Sequence, residues 1–188
     1  MTSKKTGRRE IKVAKIQINR APVLTSWAAV VAERLGFDRQ EALSLGKAVS
    51  GLTAQSKGRR LGIFKPSPEG VRKARERKRG EEFRVEICGR AVPAISTPEG
   101  VRAVSKNKPI SPETVERYLE SKLGEALPEA RAAMRDLAKA FDRDKLAENA
   151  FRLYEQFRPA VPEGVTGWGA KGELDLSRIR GLVRQADS

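Results

Sequence analysis

The chain of 188 residues contains no histidine. Histidine is the usual proton shuttle near neutral pH, so Ser-His-Asp and Cys-His catalysis are excluded within this chain. The one cysteine, Cys88, cannot form an internal disulfide, and the fold therefore does not depend on an oxidising compartment. One thiol without an imidazole cannot build a normal zinc site either. No acidic cluster has metal-ligand spacing, so neither a metal nor a cofactor is expected. Long apolar runs are missing too. The longest, near Trp27 to Ala32, is far shorter than a membrane span, and residues 1 to 20 lack the apolar core of a secretory signal. The expectation is a non-enzymatic, cytoplasmic protein, nucleoid-associated if its ligand is DNA. Aromatics are only 5% of the chain, which leaves the core to Leu, Val, Ile and Ala.

Positive charge, in contrast, is abundant and unevenly placed. The net charge is +14, from 38 Lys/Arg and 24 Asp/Glu. Residues 1 to 109 hold 25 basic and 10 acidic residues, whereas residues 110 to 188 hold 13 and 14. The excess lies entirely in the first part. It is clustered as Lys4, Lys5, Arg8 and Arg9, then Lys57, Arg59, Arg60 and Lys65, then the run Arg72, Lys73, Arg75, Arg77, Lys78 and Arg79. Such density repels itself unless a polyanion or salt relieves it. A duplex phosphate backbone relieves it by releasing counterions. An anionic membrane is a poorer match, because the basic segments lack the aromatic or leucine face of an interfacial helix. The competing bland account is a basic tail and loop that keep the protein soluble.

Periodicity organises the rest. Leu24, Trp27, Ala28, Val31 and Leu35 predict one apolar face of a helix over 24–35, ended by Gly36, with Phe37 packing back. Asp38 and Glu41 have the spacing of a capping box, opening a second helix over about 39–56 with Ala42, Leu45, Val49 and Leu52 inside. Gly46 and Gly51 either weaken that helix or admit a close neighbour. The pair is helix-turn-helix-like, a pattern that any helical hairpin shares. Gln55 to Gly62 then brings three cations and two glycines together. Two readings stand equal here: a phosphate-approaching segment, or a Gly-terminated helix whose cations complement its dipole.

Phe83, Val85 and Ile87 alternate with Arg84 and Glu86, predicting a hairpin over 82–96 that turns at Gly89-Arg90. Pro93 suggests an edge position. Cys88 reads as a small buried or turn residue, since no base exists to activate it. Helices are expected from Ser111-Pro112-Glu113 to about Leu123, from Pro128 to about Phe141, over Leu146 to Phe157, and around Leu176 to Val183. Pro-Glu-Gly-Val recurs at Pro68, Pro98 and Pro162 without a fixed period, which indicates reused turn chemistry and not a solenoid.

Three catalytic-looking patterns fail or are weak. Gly46-Lys47 lacks the earlier glycine and the following Ser/Thr of a phosphate loop. Ser44 and Lys47 match Ser-x-x-Lys, but in a chain too small and helical for that enzyme class. The Gly167 to Gly172 loop, with Trp168 and Lys171, is better read as a tight turn carrying a packing Trp than as an anion cradle.

The expected fold is mainly α: a helical bundle with a helix-turn-helix-like N-terminal pair and one small β-hairpin. Residues 1–20 form a basic arm, 21–109 a basic nucleic-acid-binding unit, and 110–188 a helical unit that supports it or forms a homo-oligomer. The expected partner is DNA or RNA, with DNA slightly favoured because aromatics are not interleaved with the cations. The alternative is a protein-interaction module whose basic half binds an acidic partner.

Overall fold

A computed structural model of the chain describes residues 15–60 (backbone only for 55–60), 82–164 and 169–187. The order of elements is β1 (Lys15–Asn19), α1 (Arg20–Leu35), α2 (Arg39–Arg60), β2 (Phe83–Ile87), β3 (Arg90–Thr97), β4 (Gly100–Ser105), β5 (Lys108–Pro109), α3 (Pro112–Leu123), α4 (Leu127–Lys139), α5 (Arg143–Phe157), β6 (Lys171–Asp175) and α6 (Leu176–Asp187). The expected helical bundle with one hairpin is therefore overturned. The chain is an α+β fold with two antiparallel sheets, one of two strands (β1-β6) and one of four (β2-β3-β4-β5). Strand β1 follows the alternation of Ile16 and Ile18 with polar neighbours, whereas β4 and β6 escape a pattern search because charged residues interrupt their short apolar alternation. Their pairing partners, not their own propensities, make them strands.

Helix α1 lies at the centre. Every residue from Pro22 to Ala32 is buried, so the helix is covered on all sides and not on the single expected face. It ends as its sequence suggests. The Phe37 amide donates to Ala32 O and the Gly36 amide to Glu33 O, with Gly36 at φ 125°, the paired bonds of a Schellman motif. The capping box also forms: Asp38 Oδ1 accepts from the Glu41 amide at 2.8 Å, and Glu41 Oε1 accepts from the Asp38 amide at 3.0 Å. Ser111 and Asp142 cap α3 and α5 by accepting from the Thr114 and Lys145 amides.

Trp27 anchors the core. Its Nε1 donates to Ala150 O at 2.8 Å, and its ring meets Phe157 edge-on at 5.3 Å. One hydrophobic cluster runs from Ile18 on β1 to Ile179 on α6 and includes residues of both sheets. Strand β1 pairs with β6 in the register Lys15↔Asp175 to Asn19↔Lys171.

The hairpin β2–β3 turns at Cys88-Gly89, one residue earlier than expected, with φ of 51° and 74°. Two successive positive φ values define the type I′ turn that suits right-twisted strands. Lys106-Asn107 repeats the device between β4 and β5, at 52° and 69°. Pro93 is paired on one side only, with Arg84 of β2. It sits on β3, between β2 and β4. Its ring nitrogen has no hydrogen to donate, and the β3–β4 ladder stops beside it at Ala94↔Ala103. Beyond that point β4 turns to β5 instead: Val104 pairs with Pro109, and Ala103 O accepts from the Ile110 amide.

Candidate nucleic-acid interface

Of the cations singled out by charge density, Lys57, Arg59 and Arg60 fall on the described backbone, in the last turn of α2. The helix runs past Gly58 to Arg60, so Gly58 does not end it. Lys4, Lys5, Arg8, Arg9, Lys65, Arg72, Lys73, Arg75, Arg77, Lys78 and Arg79 lie outside the described residues. The chain enters the described part at Lys15, leaves it at Arg60 and returns at Glu82.

Helix α2 is firmly held up to its last two turns. A Cβ on Gly46 would stand 2.5 Å from Thr25 O and 2.8 Å from Ala29 N, which marks a close backbone crossing with α1. The Thr25 and Ser50 hydroxyls meet at 2.8 Å across that crossing. On the opposite side, Ser44 Oγ accepts from the Ala103 amide and Glu41 Oε2 from the Val101 amide, which fastens α2 to β4. Arg90 Nε reaches Thr53 Oγ1 from β3. The three terminal cations thus stand on a helix braced by both a helix and a sheet. Cations at this end also meet the partial negative charge of the helix dipole.

Beside α2 the early end of the β3–β4 ladder leaves a groove of about 450 Å³. It is lined by Lys47, Ala48, Gly51 and Leu52 of α2, by Pro93 and Val104 of the sheet, and by Ser105, Lys106 and Ile110. The i+4 row that starts at Lys47 and Gly51 continues to positions 55 and 59. Lys47 is half-buried, its ammonium 4.2 Å from the centre of the Tyr118 ring, and burial lowers its pKa. Lys106 is exposed on the I′ turn. Neither lysine has a salt bridge to a described carboxylate. Sequence reasoning missed both, since only the fold brings a mid-helix lysine beside a turn lysine. The Lys106-Asn107 pair was the available turn signal.

Several arginines behind α2 are paired instead. Arg131 binds Glu116 through two nitrogens, at 2.8 and 3.2 Å, and Arg39 adds a third contact at 3.0 Å. Burial opposes the charge on Glu116, but these guanidinium groups outweigh it and hold the carboxyl below its usual range. Arg135 pairs with Glu33, and Arg180 with Glu129.

The remaining reactive groups are committed to structure. The Cys88 thiol is buried, and burial pushes its pKa up to about 12 against the pull of Arg90. The Ser44 hydroxyl donates to Glu41 O besides accepting from Ala103, while Lys47 rests on Tyr118, so the Ser-x-x-Lys pair does not face one reaction centre. In the glycine loop, a Cβ on Gly172 would collide with Ala160 O, which makes that glycine a packing requirement. Trp168 lies outside the described residues. Among the described residues no group of His, Cys, Asp and Glu could hold a metal, and no helix is long and apolar enough to cross a membrane. No family model, no curated protein and no solved structure matches the chain.

Proposed function

We propose that the protein is a non-enzymatic nucleic-acid-binding protein, with DNA slightly favoured over RNA. It holds phosphates through Lys4, Lys5, Arg8 and Arg9, through Lys57, Arg59 and Arg60, and through Lys65 and the cations from Arg72 to Arg79. The carrying observation is the charge asymmetry: 25 basic against 10 acidic residues before position 110, and 13 against 14 after it. The pairing on the described surface supports the same reading. Arg131, Arg135 and Arg180 meet carboxylates, whereas Lys57, Arg59 and Arg60 lie in the last turn of a braced helix. Contacts of this kind position a phosphate backbone.

The test is fluorescence anisotropy of the full chain with labelled duplex DNA, duplex RNA and single strands, each across a salt series. If about six phosphates are neutralised, log K falls with log salt at a slope of about −5. Replacing Lys57, Arg59 and Arg60 by Gln, or the six cations from Arg72 to Arg79 by Gln, makes that slope shallower by about one for each phosphate no longer neutralised. Absence of binding at low salt refutes the reading and transfers the basic half to an acidic protein partner. Such a partner would itself be recognised by retained salt dependence without any nucleic-acid affinity.

A further inference from the structure

The groove beside α2 is chemically unlike the phosphate-binding segments. Its walls are largely apolar: Ala48, Leu52, Pro93, Val104 and Ile110. Its charged groups are two lysines, with the Ser105 hydroxyl as a further donor. Its volume, about 450 Å³, is within the range of small-molecule sites, which combine an apolar lining with a few polar groups that fix orientation. A nucleic-acid backbone is a poor match, because it would leave the apolar wall facing charged phosphates. Among the described residues that line it, bases would find no aromatic ring on which to stack.

We propose that this groove binds a small organic anion, with a carboxylate, sulfonate or phosphate head against Lys47 and Lys106 and an apolar body against Leu52, Val104 and Ile110. Two cations without a described carboxylate partner demand negative charge on the ligand. Five apolar side chains demand a body that gains by leaving water. The fold builds the site from two devices: Pro93 ends the β3–β4 ladder, and the I′ turn brings Lys106 over the gap. The wall formed by α2 belongs to the helix that ends in Lys57, Arg59 and Arg60, so an occupant touches the same rigid element from its side.

The experiment is a fluorescence titration of the full chain with 8-anilinonaphthalene-1-sulfonate, an anion with an aromatic body. N-phenyl-1-naphthylamine serves as its uncharged counterpart and decanoate as a competitor. The sulfonate is expected to bind at one saturable site, to be displaced by decanoate, and to bind at least tenfold more tightly than the neutral probe. Lys47→Met and Lys106→Asn are each expected to weaken it about tenfold, the effect of one lost charge-assisted hydrogen bond. Lys106→Asn keeps a residue suited to positive φ at an exposed turn, so it tests the site even if Lys47→Met unfolds. Circular dichroism verifies that each variant is folded. Equal binding of the neutral probe, or unchanged affinity in folded Lys106→Asn, overturns the proposal. Displacement of the probe by duplex DNA at stoichiometric amounts overturns it as well, because the groove would then be part of the phosphate surface.

Discussion

Replacing Gly46 by alanine adds one methyl group where α1 and α2 cross. The new Cβ would lie 2.5 Å from Thr25 O and 2.8 Å from Ala29 N. Both are backbone atoms, so no rotamer change relieves the overlap, which is about 0.9 Å inside ordinary van der Waals contact at the nearer atom. The helices must move apart. Overpacking of this kind costs about 1–3 kcal/mol. Separation also strains the buried Thr25–Ser50 hydrogen bond, 2.8 Å long, whose loss would add about 1 kcal/mol or more. Alanine returns up to about 1 kcal/mol in helix propensity. The net expectation is a loss of about 1–4 kcal/mol, or a melting temperature lower by about 2–16 °C. Gly51→Ala is the control. It lies on the same helix, but its Cβ would meet nothing within 4 Å, so propensity alone acts and the variant gains about 0.5–1 kcal/mol. Urea denaturation followed by circular dichroism of the helical signal reads both. Equal stability of Gly46→Ala and wild type would refute the close-crossing argument, and so would a loss shared equally by the two variants.

Two further outcomes follow from the ionisable groups. Cys88, with its thiol pKa pushed up to about 12 by burial, should not react with 5,5′-dithiobis-(2-nitrobenzoate) at about pH 8, below even an ordinary thiol pKa, until the chain is unfolded; rapid reaction of native protein would contradict its placement. Glu116 has a folded pKa held below its unfolded value of about 4.3, so its stabilising effect is present above that value and is lost as pH falls through the folded pKa. Glu116→Gln should therefore be less stable than wild type near neutral pH, with the gap closing below about pH 4; a gap that stays constant in urea melts from neutral pH down to about pH 3 would refute the ion-pair assignment.

Some of this architecture is legible in the sequence because the physics is local. A capping box needs only Asp38 and Glu41 three residues apart, and a Schellman end needs only Gly36. Both form as spaced. The β2–β3 hairpin is legible for the same reason, but the pairing of β1 with β6 is not. Ile16 and Ile18 alternate with polar neighbours, but the partner of Lys15 lies at the far end of the chain, at Asp175. Gly46 and Gly51 are indistinguishable as letters, and only the crossing with α1 separates them. The rule that a central strand cannot spare an amide places Pro93 on an edge. The fold satisfies that rule differently, by ending one ladder at the proline and opening a groove there. The candidate interface shows the same division. Charge density singles out Lys57, Arg59 and Arg60 because it is a property of composition, while Lys47 and Lys106 come to line one groove only in three dimensions.

The pairing of β1 with β6 also sets a clock on synthesis. Residues 15–19 leave the ribosome long before residues 171–175. At about 5–20 residues per second, roughly 8–30 s separate the two strands. Throughout that interval Ile18, buried in the finished fold, has no strand partner in the small sheet, and for most of it α1 lacks α4 and α5, which are complete only at Phe157. The nascent chain thus carries its most apolar helix partly uncovered beside its most basic segments. A net positive charge of this size opposes association between chains.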